Sequence, residues 1–115
     1  MDDMQLLELA AKAAGIKAQY SENMGDFSIG EPYSHGERRW NPLTDDGDAL
    51  WLAVRLHITP NAGETKCSAT WWIRPDLIEQ DSVVEPTNTD AYAATRRAIV
   101  RAAAAIASRE AGKGE

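Results

Sequence analysis

The chain is short of the groups that most chemistry requires. It has one cysteine, one phenylalanine and two histidines in 115 residues. A single cysteine, Cys67, cannot close an internal disulfide, which fits a reducing compartment. His35 and His57 are far apart in sequence, and neither sits at an ordinary zinc-ligand spacing from Cys67. No G-x-S-x-G nucleophile turn and no phosphate-cradling glycine loop is present. No apolar run approaches the roughly 18 residues that would span a bilayer, so no membrane partner is expected. The opening M-D-D-M-Q-L-L-E is acidic where a secretory signal is basic, so a cytoplasmic location is expected. Positive charge is scarce as well: 12 basic residues face 18 acidic ones, for a net charge of -6. A surface of that sign repels phosphates, so direct nucleic-acid binding is not expected. An acidic surface that competes for another protein's nucleic-acid site is compatible with the same charge. These shortages point away from an enzyme and away from a cofactor.

What the chain does have is apolar content, at 43%, enough for a packed core. Its length suits one domain, expected over residues 1–110, with A-G-K-G-E at 111–115 as a flexible tail. Leu6, Leu7, Ala10, Ala13 and Ala14 recur at helical spacing and predict a helix over Asp3–Ala14 that Gly15 ends. Lys17–Ser21 and Asp26–Gly30 flank E-N-M-G and predict a hairpin. Glu31–Arg39 is polar and predicts an exposed loop. A second helix is predicted over Asp46–Leu56, with Trp51 and Leu52 widening its apolar face. His57–Pro60 and Lys66–Arg74 flank N-A-G-E-T as a second hairpin, with D-L-I and S-V-V as short pieces beyond it. A last helix is predicted over Asp90–Arg109, with Tyr92, Thr95, Ile99, Ala102, Ala103 and Ile106 as its stripe. The fold expected is therefore α+β, a single layered α/β/α sandwich. Its order is α-β-β-α-β-β-α, with helices on the faces of an antiparallel sheet.

One stretch, W-N-P-L-T-D-D-G-D-A-L at Trp40–Leu50, concentrates three aspartates around one glycine. A calcium loop of the EF-hand kind needs glycine at its sixth position and glutamate at its twelfth. Counted from Asp46, those positions hold Trp51 and His57, so no metal is expected. A helix start explains the stretch better. Thr44 or Asp45 can cap, Asp46 and Asp48 complement the dipole, and Trp40 packs before the first turn. Three aspartates exceed what capping needs. The last helix carries Arg96 and Arg97, so a charge cluster of Asp45, Asp46 and Asp48 with Arg96 and Arg97 is expected to tie the two helices together.

W-N-P-L-T-D-D-G-D-A-L-W-L-A-V-R-L, at Trp40–Leu56, and A-A-T-R-R-A-I-V-R-A-A-A-A-I-A, at Ala93–Ala107, resemble the bacteriophage and prophage proteins of the phage ABA sandwich domain family. The first helix, M-Q-L-L-E-L-A-A-K-A-A-G-I, is similar too, while Thr59–Thr87 carries no motif. The resemblance implies a compact layered domain encoded by phage or prophage, acting in the host cytoplasm, and it brings no catalytic residue.

Aromatics supply the remaining candidates. Four tryptophans are present, and Trp71 and Trp72 are adjacent in a predicted strand. Adjacent strand residues face opposite ways, so both are buried only if helices cover both sheet faces. If one indole is exposed, it is a candidate anchor for a protein partner. Trp72 is the better choice, because Cys67, Ala69, Trp71 and Ile73 mark the core face. Tyr33, Arg38 and Arg39 of the polar loop are expected to join it as binding residues. The function expected is a small accessory protein that binds a host or phage protein and interferes with a defence or regulatory complex. The alternative is a module that sequesters a small molecule or nucleotide.

Overall fold

Three helices and six short strands make an α+β fold in the computed structural model, which describes residues 1–22, 24–30, 36–73 and 79–113, with side chains to 110. Asn23, Tyr33, His35 and the D-L-I piece lie outside the described residues.

Helix α1 covers Asp3–Ala14. Asp2 caps it by accepting from Gln5 N at 2.9 Å, and Asp2 N donates back to Gln5 Oε1 at 3.0 Å. That reciprocal pair satisfies two of the orphan groups at the helix start. Gly15 ends α1 at φ 76°, a conformation that costs glycine little. Strands β1 (Ala18–Ser21) and β2 (Asp26–Ile29) form the expected hairpin, Tyr20 opposite Phe27. A third strand, β3 (Arg38–Arg39), adds to β2 with Ser28 opposite Arg39. The end of the loop predicted over Glu31–Arg39 is therefore a strand, one that two arginines with no alternation of their own do not signal.

Helix α2 runs over Asp46–Leu56 as expected. A second antiparallel sheet follows, β4 (Thr59–Asn61), β5 (Lys66–Ile73) and β6 (Glu79–Pro86) in that order. Strand β6 pairs along the whole of β5, from Lys66 opposite Pro86 to Ile73 opposite Glu79. Its composition of acids, glutamine and proline hid it, since only Val83 and Val84 read as strand formers. The order is thus α-β-β-β-α-β-β-β-α, and the strands form two three-stranded sheets in place of one.

Helix α3, Ala91–Lys113, is the centre of the packing. It touches α1, α2 and the strands of the second sheet. Ala98, Ile99, Val100, Ala102, Ala103, Ala104 and Ala107 are all buried, so successive faces of α3 meet different neighbours. Alanine makes this possible, because a methyl group lets other elements approach the helix closely. Helix α3 also runs past the expected end at Arg109 to Lys113.

The second sheet offers α3 one face only. Cys67, Ala69 and Trp71 are buried there, Trp71 to 5% exposure, whereas Trp72 on the opposite face is 46% exposed. The two-sided covering expected of a sandwich is therefore not built over Trp72. Trp71→Ala is expected to cost about 3–5 kcal/mol, and Trp72→Ala about 1 kcal/mol or less, in urea unfolding followed by circular dichroism. Equal losses would show that both faces are packed.

Candidate functional site

The three aspartates of the acidic turn go to three different partners. Asp45 is the N-cap of α2, its Oδ2 accepting from Asp48 N at 2.7 Å. Asp46 Oδ1 accepts from Arg96 Nη1 at 2.7 Å, and Arg96 Nε donates to Leu43 O at 2.8 Å. Arg96 thus holds both the turn and the helix start against α3. Asp48 Oδ2 accepts from Asn41 N at 2.9 Å, and Asn41 Nδ2 donates to Asp26 Oδ1 at 2.9 Å, which carries the tie across to β2. Among the described residues no group of three or more His, Cys, Asp or Glu side chains is arranged to hold a metal ion.

Arg97 does not belong with that turn. Its Nη1 donates to Asp3 Oδ1 at 3.0 Å, and its Nε lies 3.8 Å from Glu85 Oε1. Arg101 pairs with Glu85 and donates to Val84 O at 3.0 Å. The arginines of α3 divide by helical position: Arg96 faces α2, while Arg97 and Arg101 face α1 and β6. Sequence spacing could not assign these partners, because Asp3, Asp46 and Glu85 are all distant from the arginines along the chain.

The candidate binding residues separate. Arg38 and Arg39 are exposed on β3 and line a polar cleft of about 430 Å³ with Asp26, Asn41, Asp45 and Asp48. Arg39 Nη2 donates to Met24 O at 3.0 Å. Trp72 lies on the other sheet, beside a cavity of about 400 Å³ lined with it by Arg55, Leu56, His57, Trp71 and Arg109. Arg55 Nε donates to Ala14 O at 3.2 Å, and Arg109 stands 3.8 Å from Asp81. Arg38, Arg39 and Trp72 therefore do not form one surface, and Tyr33 lies outside the described residues.

Of the residues considered for catalysis, Cys67 is fully buried with Sγ 3.4 Å from Thr87 Oγ1. Thr87 Oγ1 donates to Gly63 O at 2.7 Å, so its oxygen is left to accept from the thiol. That is the setting of a structural cysteine. His57 closes α2 at φ 56°.

The largest unexpected feature is on α2. Leu50, Trp51 and Val54 are 63%, 45% and 66% exposed, and Tyr92 at the start of α3 is 73% exposed. An apolar groove of about 570 Å³ runs between Leu50 and Tyr92, walled also by Ala49, Pro60, Ala62 and Ile99. Ala49, Leu52 and Ala53 face the core, so this short helix is apolar on two opposite sides. Sequence reading merged both sides into one wide core face. The available signal was that Leu50, Trp51 and Val54 form an i, i+1, i+4 set of their own.

No family model, curated protein or solved structure matches the chain.

Three measurements check the acidic turn. Asp45→Ala is expected to lower stability by about 0.5–2 kcal/mol through loss of the cap. A double-mutant cycle of Asp46→Ala with Arg96→Ala should give a coupling of about 0.2–1 kcal/mol, since Asp46 is exposed. A chelator should leave the melting temperature unchanged, and a clear drop would reassign the turn to a metal.

Proposed function

We propose that this chain is a phage- or prophage-encoded accessory protein that acts by protein binding, with the outward face of α2 as its docking surface. The phage origin rests on the family resemblance, and the interference with a host defence or regulatory complex rests on analogy with the small acidic inhibitors that phages carry. The binding reading rests on one observation: Leu50, Trp51 and Val54 stand out of the surface on a helix whose other side is already buried. Burying apolar side chains of this size is worth roughly 1.5–3 kcal/mol each. A fold stabilised by a few such contacts leaves three adjacent ones unused, which is the mark of a surface kept for another chain. Tyr92 and the adjoining groove extend it, and aromatic anchors of this kind dominate interface energetics.

A second reading has its own observation. The cavity beside Trp72 is of small-molecule size, and Arg55 and Arg109 frame the exposed indole. It supports the sequestering alternative, whose signature is a rise in melting temperature with an added ligand and no protein present.

The test uses tagged wild-type protein and the variants Leu50→Glu and Val54→Lys in pull-downs from host lysate. Both positions are exposed, so folding stability should change by about 0.5 kcal/mol or less. Capture should weaken by about 2 kcal/mol or more if these side chains are anchors. Capture that is unchanged in both variants would reject α2 as the docking face.

A further inference from the structure

The cavity at the end of β5 has a floor and a rim of opposite character. Its volume, about 400 Å³, is that of a small-molecule site. Leu56, Trp71, Ile73 and Ile106 line it as buried or half-buried residues and form an apolar floor. Arg55, His57, Arg109 and Glu110 line it as exposed residues and form the rim. The last turn of α2, the residue that closes it and the late part of α3 bring these groups together.

The cations carry the information. The chain has 12 basic residues against 18 acidic ones, so each arginine has acids to spare. Arg96, Arg97, Arg101 and Arg109 of α3 all stand beside a carboxylate. Arg55 makes no ion pair among the described residues. Its Nε donates to Ala14 O at 3.2 Å, which ties the guanidinium down. Capping that carbonyl takes one N–H of a group that carries several, and complementing the α2 dipole takes none. A tethered guanidinium without a counter-ion, at the edge of a cavity, is a receptor for an oxyanion. Arg109 holds Asp81 only loosely, at 3.8 Å with both side chains half exposed. His57 closes α2 at φ 56°, a conformation that glycine adopts at lower cost, and its imidazole adds a further polar group to the rim. The carbonyl end of α2 opposes an anion, but His57 N and Ile58 N take up the Val54 and Ala53 carbonyls.

The lining also limits the ligand. Two guanidiniums against the Glu110 carboxylate leave a single net positive charge, which suits a monoanion better than a phosphate monoester of nearly two charges. The apolar floor offers no acceptor side chain for the amino groups of a nucleobase.

We infer that this cavity binds a small monocarboxylate with an apolar body, its carboxylate on Arg55 and Arg109 and its body on Leu56, Trp71 and Ile106. The inference rests on the reading of the cavity as a ligand site and names the ligand class.

Isothermal titration calorimetry of the full chain tests it with naphthalene-2-acetate, its uncharged amide and AMP. The carboxylate is expected to bind at least about 10-fold more tightly than the amide, the worth of one hydrogen bond to a charged group. Arg109→Gln should weaken its binding about 10-fold, and Glu110→Gln should tighten it; both residues are exposed. His57→Gly separates binding from folding, since it removes a polar group and relaxes the turn. Weaker binding with an equal or higher melting temperature is expected. An amide bound as tightly as the acid, or an affinity that Arg109→Gln and Glu110→Gln both leave alone, would overturn the carboxylate assignment and keep the cavity as a site for neutral ligands. AMP bound more tightly than the acid would overturn it in favour of a nucleotide. Absence of binding by all three at millimolar concentration would overturn the ligand site itself.

Discussion

The fold depends on one helix being wrapped by the others. Helix α3 carries methyl groups where most helices carry Leu or Ile, and Ala98, Ala102 and Ala103 are completely buried. Small side chains allow α1, α2 and the second sheet to approach it from different directions at short range. The cost is that alanine buries little area per residue, so the larger apolar groups must come from the neighbours. Leu6, Leu7, Leu52, Phe27, Trp40 and Trp71 supply them. A bulky residue at Ala98 or Ala102 would push neighbouring elements away, because both positions are completely enclosed.

Charge then fixes how the surrounding elements sit. The arginines of α3 are the common partners: Arg96 for the turn before α2, Arg97 for α1, Arg101 and Arg109 for β6. Each exposed pair is worth little alone. Their effect is on register, since each fixes where a neighbouring element crosses the helix. Arg96 does more than its ion pair implies, because it also satisfies the Leu43 carbonyl. The acidic turn is in this sense a structural joint, with each aspartate committed to a separate backbone or side-chain partner.

The same packing decides which surfaces stay open. Helix α3 covers a single face of the second sheet, so the alternation of β5 puts Trp71 inside and Trp72 outside. Helix α2 meets α3 with Ala49, Leu52 and Ala53, and that choice turns Leu50, Trp51 and Val54 outward. The open indole and the open aliphatic face are thus two results of one arrangement. They lie on different elements, and the exposed arginines of β3 lie on a third.

Local chemistry was legible in the sequence. Asp2 and Asp45 cap because a carboxylate can reach the amide three residues on, a matter of a few bonds. Gly15 ends α1 because it alone adopts the left-handed conformation freely. The alternation from Cys67 to Ile73 marked the core face of β5 because side chains of a strand alternate whatever lies above them. Other features had no local cause. Strands β3 and β6 exist because β2 and β5 offer them backbone hydrogen bonds, not because arginine pairs or acidic stretches favour extended structure. Arg96 and Arg97 are neighbours with equal chemistry, and only the positions of α1 and α2 around α3 send one to Asp46 and the other to Asp3. Apolar residues at Leu50, Trp51, Leu52, Ala53 and Val54 determined that α2 would bury something. Which side it buried in its own core, and which it left exposed, was decided by the side that α3 could reach.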